Sequence, residues 1–412
     1  VRITVLCGPY PVDEHLGGTG LRMWELAQAL AGDGAEVTLV VPRPSTFAWT
    51  GITITEFTED AWPELIASAD AMITTDLPDT RLLLHAYHCG VLTIVENAPP
   101  IEHLHYAELR AAADPQALYD ELADRYRLQL LVADHLLVRS APERASTLGA
   151  LVATGRLGWL HHQQSPAMRH LITLLPVGYS RNADRHAAAA NPGDPVDLVW
   201  NGGIWDYCEP SPLWPALAML RDAGQPLALR LLYPPPPHAR DAITTAIRQH
   251  GLDGLVEIPG DPVPHHLRDG LLLSARAIVC TGKDGAETQT CHRLRLRDAF
   301  LHRLPVVIDH YGASADLVAQ HHIGTVADPR DTPALAAALT TTARGGTARD
   351  GFLAALESMR DQFTFEASMG GLRDFLSAGR HAPDIGTRRH KEALADLLAR
   401  RPLLAEAPTH LV

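Results

Sequence analysis

The residues whose types and spacing best suit chemistry lie in Thr281-Gly282-Lys283-Asp284-Gly285-Ala286-Glu287-Thr288-Gln289-Thr290-Cys291-His292-Arg293-Leu294-Arg295-Leu296-Arg297-Asp298-Ala299-Phe300. Lys283, Arg293 and Arg295 supply positive charge of the kind that holds a diphosphate, and Glu287 and Asp298 supply carboxylates that can hold sugar hydroxyls. The stretch runs on into Leu304-Pro305-Val306-Val307-Ile308, so it reads as strand, polar loop, a helix whose first turn can face a phosphate, then a buried strand. A solvated helix face is the competing account of the arginines, above all of Arg297.

Two glycine loops carry a related signal. In Val199-Trp200-Asn201-Gly202-Gly203-Ile204-Trp205-Asp206-Tyr207-Cys208-Glu209-Pro210, Gly202 and Gly203 permit a tight turn while Trp205 and Tyr207 offer flat surfaces to a base or sugar. Near the start, Gly17-Gly18-Thr19-Gly20 precedes a helix and lets backbone N–H groups approach an anion. A nicotinamide-binding reading of that loop fails on two counts. It lacks GxGxxG spacing, and the second strand ends Val41-Pro42-Arg43 without a ribose-binding acid.

A third polar loop, Val95-Glu96-Asn97-Ala98-Pro99-Pro100-Ile101-Glu102-His103-Leu104-His105, follows a strand in the first half. Glu96 or His103 is suited to orient or deprotonate a bound molecule.

The elements that must position these residues alternate short apolar runs with helical stretches, the signature of parallel sheets with crossover helices. Strands are expected at Arg2 to Cys7, Ala35 to Val41, Ala71 to Thr75, Val91 to Glu96, His135 to Val138 and Ile172 to Pro176. The pattern restarts with Val196 to Trp200, Leu227 to Leu232, Val256 to Ile258, Ala277 to Cys280, Val306 to Ile308 and Thr325 to Ala327. Met23, Leu26, Ala27 and Leu30 share one helical face, with Gly32 or Gly34 as the stop.

The expected fold class is therefore α/β, with two Rossmann-like doubly wound domains facing across a cleft. Residues 1–180 form the first; 181–195 form a linker; 196–365 form the second. Residues 366–412 are read as helices packing back on the first domain, and Arg388 to Arg400 as a basic, amphipathic docking helix.

A chain of 412 residues suits two domains, and 46% hydrophobic with 20% charged residues is an ordinary globular composition. The formal charge of -13 argues against a nucleic-acid binder. The five cysteines lack a CxxC pair and the 22 histidines lack HExxH spacing, so free thiols and no metal site are expected. With no leader and no long apolar span, the expectation is a cytoplasmic protein without a membrane span; a homodimer stays open.

At this point the chain resembles retaining GT-B glycosyltransferases of the family four type. It is similar to a branch with a GGGIWxWxxP-like loop and an ETxxSxRxRxxDxxxxxLP-like donor segment. The matching residues are Asn201-Gly202-Gly203-Ile204-Trp205-Asp206-Tyr207 with Pro210, then Glu287-Thr288, Arg293, Arg295, Asp298 and Leu304-Pro305. Ala133-Asp134-His135 to Ser140, Glu143-Arg144 and Leu148-Gly149-Ala150-Leu151 also resemble that branch, up to the Phe363-Thr364-Phe365 segment where such chains cross back.

Two departures stand out. The broader family spaces two glutamates eight residues apart, whereas Thr290 stands eight before Asp298, and Asp298 replaces the glutamate that holds the ribose. The family's Arg and Lys for the diphosphate give way to the Trp-Asp-Tyr loop, leaving Lys283, Arg293 and Arg295 as substitutes.

The resemblance implies a hexosyltransferase-like enzyme that retains anomeric configuration without metal or cofactor, taking GDP or UDP sugars as co-substrate. Catalytic roles fall to Glu287, Arg293, Glu96 and His103, and donor binding to Gly17, Gly18, Thr19, Gly202, Gly203, Trp205, Lys283, Thr288, Arg295 and Asp298. Ala-, Arg- and Pro-rich usage hints at a GC-rich genome, where such enzymes decorate specialised metabolites as well as surface polysaccharides; with no membrane-associating segment evident, a small polar acceptor in antibiotic biosynthesis, attacked through O, N or S, is the expectation. Polysaccharide glycosylation, a sugar-nucleotide epimerase of the same architecture and a catalytically silent partner subunit are the alternatives.

Overall fold

The computed structural model describes residues 1–96, 105–401 and 404. The chain divides into two compact units, one of Val1–Asp13, Thr19–Pro176 and Phe365–Val412, the other of Glu14–Gly18 and Val177–Thr364.

The first unit is built on strands β1 (Arg2–Leu6), β2 (Glu36–Val41), β3 (Ile52–Glu56), β4 (Ala71–Thr75), β5 (Leu92–Glu96), β6 (His135–Val138) and β7 (Ile172–Leu174). All pair in parallel, in the order β3-β2-β1-β4-β5-β6-β7. Strands β4, β5 and β6 are buried at every residue, as expected of a sheet covered on both faces.

Strand β3 was not among the expected strands, although Ile52-Thr53-Ile54-Thr55-Glu56 alternates cleanly. Its residues are half-buried or exposed at the sheet edge, so it lacks the continuous apolar run that marks its neighbours.

The helix expected between β1 and β2 spans Gly18–Gly32. Gly20 through Leu30 are all buried, Arg22, Glu25 and Gln28 included, rather than one apolar stripe alone. Asp79 caps the helix Thr80–Cys89 by accepting from Arg81 N, and Gly90 ends it at φ 71°. The helix Arg388–Arg400 belongs to this unit and buries His390, Leu394 and Leu397, with the His390 ring bonded to the Leu131 carbonyl.

The second unit is built on β8 (Val196–Trp200), β9 (Leu229–Leu231), β10 (Val256–Glu257), β11 (Ala275–Cys280), β12 (Val306–Asp309) and β13 (Gly324–Ala327). The order is β10-β9-β8-β11-β12-β13, again all parallel. Its entry and exit are tied together: Tyr179 N donates to the Phe363 carbonyl and the Tyr179 hydroxyl to that of Arg360.

The stretch expected as linker 181–195 holds a helix, Arg181–Ala189. Ser180 caps it by accepting from Ala183 N, and Arg360 bonds Asp184. A strong cap and a tertiary ion pair thus form a helix that apolar periodicity does not announce.

Both sheets reverse direction of growth at their first strand, between β1 and β4 in one and between β8 and β11 in the other. In open parallel sheets the crevice for a ligand opens at the carboxyl ends of the strands flanking that reversal.

Candidate functional site

In the second unit the loops leaving β8 and β11 meet at that crevice. Lys283 N donates to the Tyr207 carbonyl at 2.9 Å, Glu209 N to Thr281 O at 3.1 Å, and the Thr281 hydroxyl to Glu209 O at 2.6 Å. Cys208 and Gly282 form an antiparallel bridge between them. A Cβ at Gly282 would stand 2.7 Å from Arg293 Nη2 and 3.1 Å from the Tyr207 carbonyl, so a side chain there would displace the buried Arg293 guanidinium.

The segment that follows departs from the single helix expected. It breaks into Ala286–Thr290 and Leu296–His302, with Cys291 in extended backbone between them. The Thr290 hydroxyl bonds the Ala286 carbonyl at 2.9 Å, and the Ser314 hydroxyl accepts from Arg293 N at 2.9 Å, giving the chain partners outside a helix.

This break turns the arginines inward. Arg293 Nη1 lies 2.6 Å from Asp309 Oδ2 and 2.8 Å from the Cys280 carbonyl, and Nη2 lies 3.1 Å from Asp309 Oδ1. Asp309 also accepts from Gly282 N and Tyr311 N, so one carboxylate ties Arg293 to two loops. Arg295 donates to the Gly203 carbonyl at 2.9 Å, and its guanidinium sits 4.7 Å from the Trp200 ring centroid.

Asp298 is buried among cations. Asn201 Nδ2 and Arg297 Nη1 each lie 2.6 Å from it, and Arg268 donates to the same carboxylate and to the Asn201 carbonyl. Burial opposes its charge, but Arg268 and Arg297 outweigh that and hold Asp298 well below the usual carboxylate range. Glu287 and Thr288 are buried in the first turn of Ala286–Thr290, with the Thr288 hydroxyl on the Lys283 carbonyl. Burial, then the Glu287 carboxyl, pushes the Tyr207 phenol well above its ordinary value, which keeps it a hydrogen-bond donor.

Of the basic residues expected for a diphosphate, Lys283 is the exposed one, and its ammonium has no bonding partner among the described residues. It lines a groove of about 230 Å3 together with Trp205, Glu209, Trp214, His238 and Ile243. Trp205 is 62% exposed rather than packed beneath the loop. Gly202 lies beneath the Arg295 guanidinium and Gly203 beneath the Trp205 ring.

The remaining expected residues lie elsewhere in the chain. Gly17 immediately precedes the helix Gly18–Gly32, and Gly18 and Thr19 form its first turn. In the first unit Glu96 ends β5 fully buried, bonded by Arg22 and, at 2.8 Å, by Arg139 Nε. Burial works against its charge, yet the two arginines hold its carboxyl below the ordinary value. His103 lies outside the described residues.

Arg268 and Asp309 are the residues of this loop cluster that sequence reasoning missed. Asp309 does carry a signal, an acid at the carboxyl end of a buried strand. Arg268 carries none, since its partners lie 30 and 67 residues away. Among the described residues, no group of three or more His, Cys, Asp or Glu could hold a metal ion, and no helix is long and apolar enough to cross a membrane.

No protein-family model matches the chain, and a search of curated proteins finds no match. Solved structures do resemble it. Sucrose-phosphate synthase from Thermosynechococcus elongatus superposes with a TM-score of 0.60 at 16% identity, over 92% of this chain and 100% of that one. HepE of Anabaena, solved in complex with UDP, gives 0.60 at 14% identity, over 92% and 100%. AviGT4, a glycosyltransferase involved in avilamycin A biosynthesis, gives 0.54 at 16% identity, over 92% and 98%. The likeness is one of fold: two Rossmann-like units, with parallel sheets of seven and six strands, match GT-B glycosyltransferases.

Proposed function

We propose that this chain is a glycosyltransferase that moves a sugar from a nucleoside diphosphate to an acceptor. The observation that carries the reading is the strand reversal of the second unit. There the β8 and β11 loops are laced together, exposed Trp205 is fit to stack on a base, and exposed Lys283 is fit to meet a diphosphate. The likeness to HepE with UDP supports a nucleotide there, with UDP or GDP as the carrier.

In this reading Arg293, Arg295 and Asp298 act indirectly. Arg293 fixes the Gly282 turn through Asp309, and Asp298 anchors Asn201 at the base of the glycine loop. Glu287, beside Tyr207, holds sugar hydroxyls. Transfer retains configuration and uses no metal. The acceptor oxygen bonds to the anomeric carbon as the carbon to phosphate-oxygen bond breaks on the same face, and the acceptor proton passes to the departing phosphate. Lysine charge stabilises that leaving group.

A small polar acceptor of specialised metabolism is the acceptor class proposed, and AviGT4, involved in avilamycin A biosynthesis, is a fold neighbour in keeping with it. Thermal unfolding with UDP and GDP tests the nucleotide site. At one hundred times its dissociation constant the preferred nucleotide stabilises the protein by about 2.7 kcal/mol. Absence of a shift with both removes the reading.

A further inference from the structure

A second set of polar groups lines the carboxyl edge of the first sheet, at its own strand reversal. Four adjacent strands contribute in turn: Tyr10 from the loop after β1, Asp76 directly after β4, Glu96 at the end of β5, and Arg139 directly after β6. Glu96 is the Cα partner of Thr75, so the two acids are neighbours across the sheet.

Asp76 differs from Glu96 in every respect that matters for a ligand. Glu96 is fully buried and its Oε1 takes both Arg22 and Arg139, whereas Asp76 is half-buried and reachable. Among the described residues its carboxyl is bonded by the Tyr10 hydroxyl, at Oδ2, and Oδ1 has no partner.

Its backbone is held at φ 55°, a left-handed conformation that costs a non-glycine residue energy and clusters at functional sites. The backbone is pinned there by Gln129 Nε2, which donates to the Asp76 carbonyl at 2.8 Å. Around it Thr75 Oγ1, Glu96 Oε2 and Gln129 Oε1 are buried without a hydrogen-bond partner among the described residues. Buried polar atoms are nearly always satisfied, so three orphans flanking one reachable carboxylate mark a place where a polar molecule completes the bonding.

We infer that Asp76, oriented by Tyr10, binds a hydroxyl of a neutral, polyhydroxylated acceptor at the carboxyl edge of the first sheet. This deepens the glycosyltransferase reading and rests on it for the word acceptor. Charge selects the class. Asp76, Glu96 and Glu143 stand with two arginines, Arg22 and Arg139, both of which bond Glu96. A phosphorylated or carboxylated acceptor would bring further negative charge to a cluster in which acids outnumber arginines, while an alcohol hydrogen-bonds the Asp76 carboxyl whether or not it is protonated. Burial, then Tyr10 and Arg139 in the opposite sense, Glu96 and His105 set its titration, with the carboxyl raised overall.

The test uses the full chain and ligand-observed saturation-transfer NMR with neutral mono- and disaccharides, their phosphates as controls, and the variants D76N and D76G. Asparagine and glycine both accept the left-handed backbone, so the fold survives in each. The expected result is binding of a neutral sugar to wild type, weakened roughly ten- to hundredfold in both variants. The thermal shift with UDP or GDP stays unchanged in both. Equal binding by D76N, a preference for sugar phosphates, or no sugar binding at all overturns the inference. Loss of the nucleotide shift in wild type is a separate result, which bears on the second unit and on the function proposed for it.

Discussion

Arg293 and Asp309 meet as a buried, two-point ion pair, with Nη1 to Oδ2 at 2.6 Å and Nη2 to Oδ1 at 3.1 Å. The pair joins the end of β12 to the segment after β11, and the same carboxylate receives Gly282 N. A cation that the sequence offers to a diphosphate is thus a brace for the turn beside the site.

That role predicts a stability effect. Replacing Asp309 by Ala strands a buried guanidinium and destabilises the protein by about 3 to 5 kcal/mol. The shift in urea midpoint measures it, and a change below about 0.5 kcal/mol would show the brace to be dispensable.

Lys283→Ala behaves oppositely. The side chain is exposed and has no bonding partner among the described residues, so stability stays within about 0.5 kcal/mol of wild type while the dissociation constant for the nucleoside diphosphate rises about tenfold or more. Urea unfolding reads the first and titration calorimetry the second, and the loss of affinity shrinks as salt is added. An unchanged dissociation constant places the diphosphate elsewhere.

Trp205→Ala separates stacking from packing. With the ring 62% exposed, its removal leaves the unfolding midpoint nearly unchanged, and base stacking worth about 1 to 3 kcal/mol is lost from nucleotide affinity. A large fall in stability with unaltered affinity would assign the ring to the loop's own packing.

Glu143 gives a pH signature in the first unit. Burial pushes its carboxyl up to about 7, against the opposing pull of Arg139. The folded state then binds the proton more tightly than the unfolded one. Its contribution to stability is full at low pH and is lost as pH rises from the ordinary carboxylate value towards 7. A glutamine side chain mimics the protonated form, so E143Q matches wild type near pH 4 and exceeds it by up to about 3 kcal/mol near pH 8. Parallel stability curves for the two proteins contradict this.

Much of this was legible in the sequence, for reasons of distance along the chain. Strands such as Ala71–Thr75 and Val306–Asp309 are buried on both faces and write themselves as apolar runs. The glycine turn at 202 and 203 and the polar stretch from 281 announce the loops of the second strand reversal. What escaped depends on partners far apart. Arg293 could be seen as charge, but its commitment to Asp309 depends on the break at Cys291, which no propensity marks. Glu96 looked like an accessible base because it ends a strand; Arg22, 74 residues earlier, takes it up. Asp76 has the same strand-end position and was passed over, since its left-handed backbone and its bond to Tyr10 are tertiary facts.

The central claim is sugar transfer from a nucleoside diphosphate, and release of that diphosphate measures it most directly. The purified full chain, incubated with UDP-glucose or GDP-mannose with and without a panel of neutral sugars and small alcohols, releases UDP or GDP faster with an acceptor present, and a glycosylated acceptor appears in equal amount by mass spectrometry. Conversion of the donor to its epimer with no acceptor product, or no release from any donor while the nucleotide still binds, would contradict the account and leave an epimerase or a silent sugar-nucleotide binder in its place.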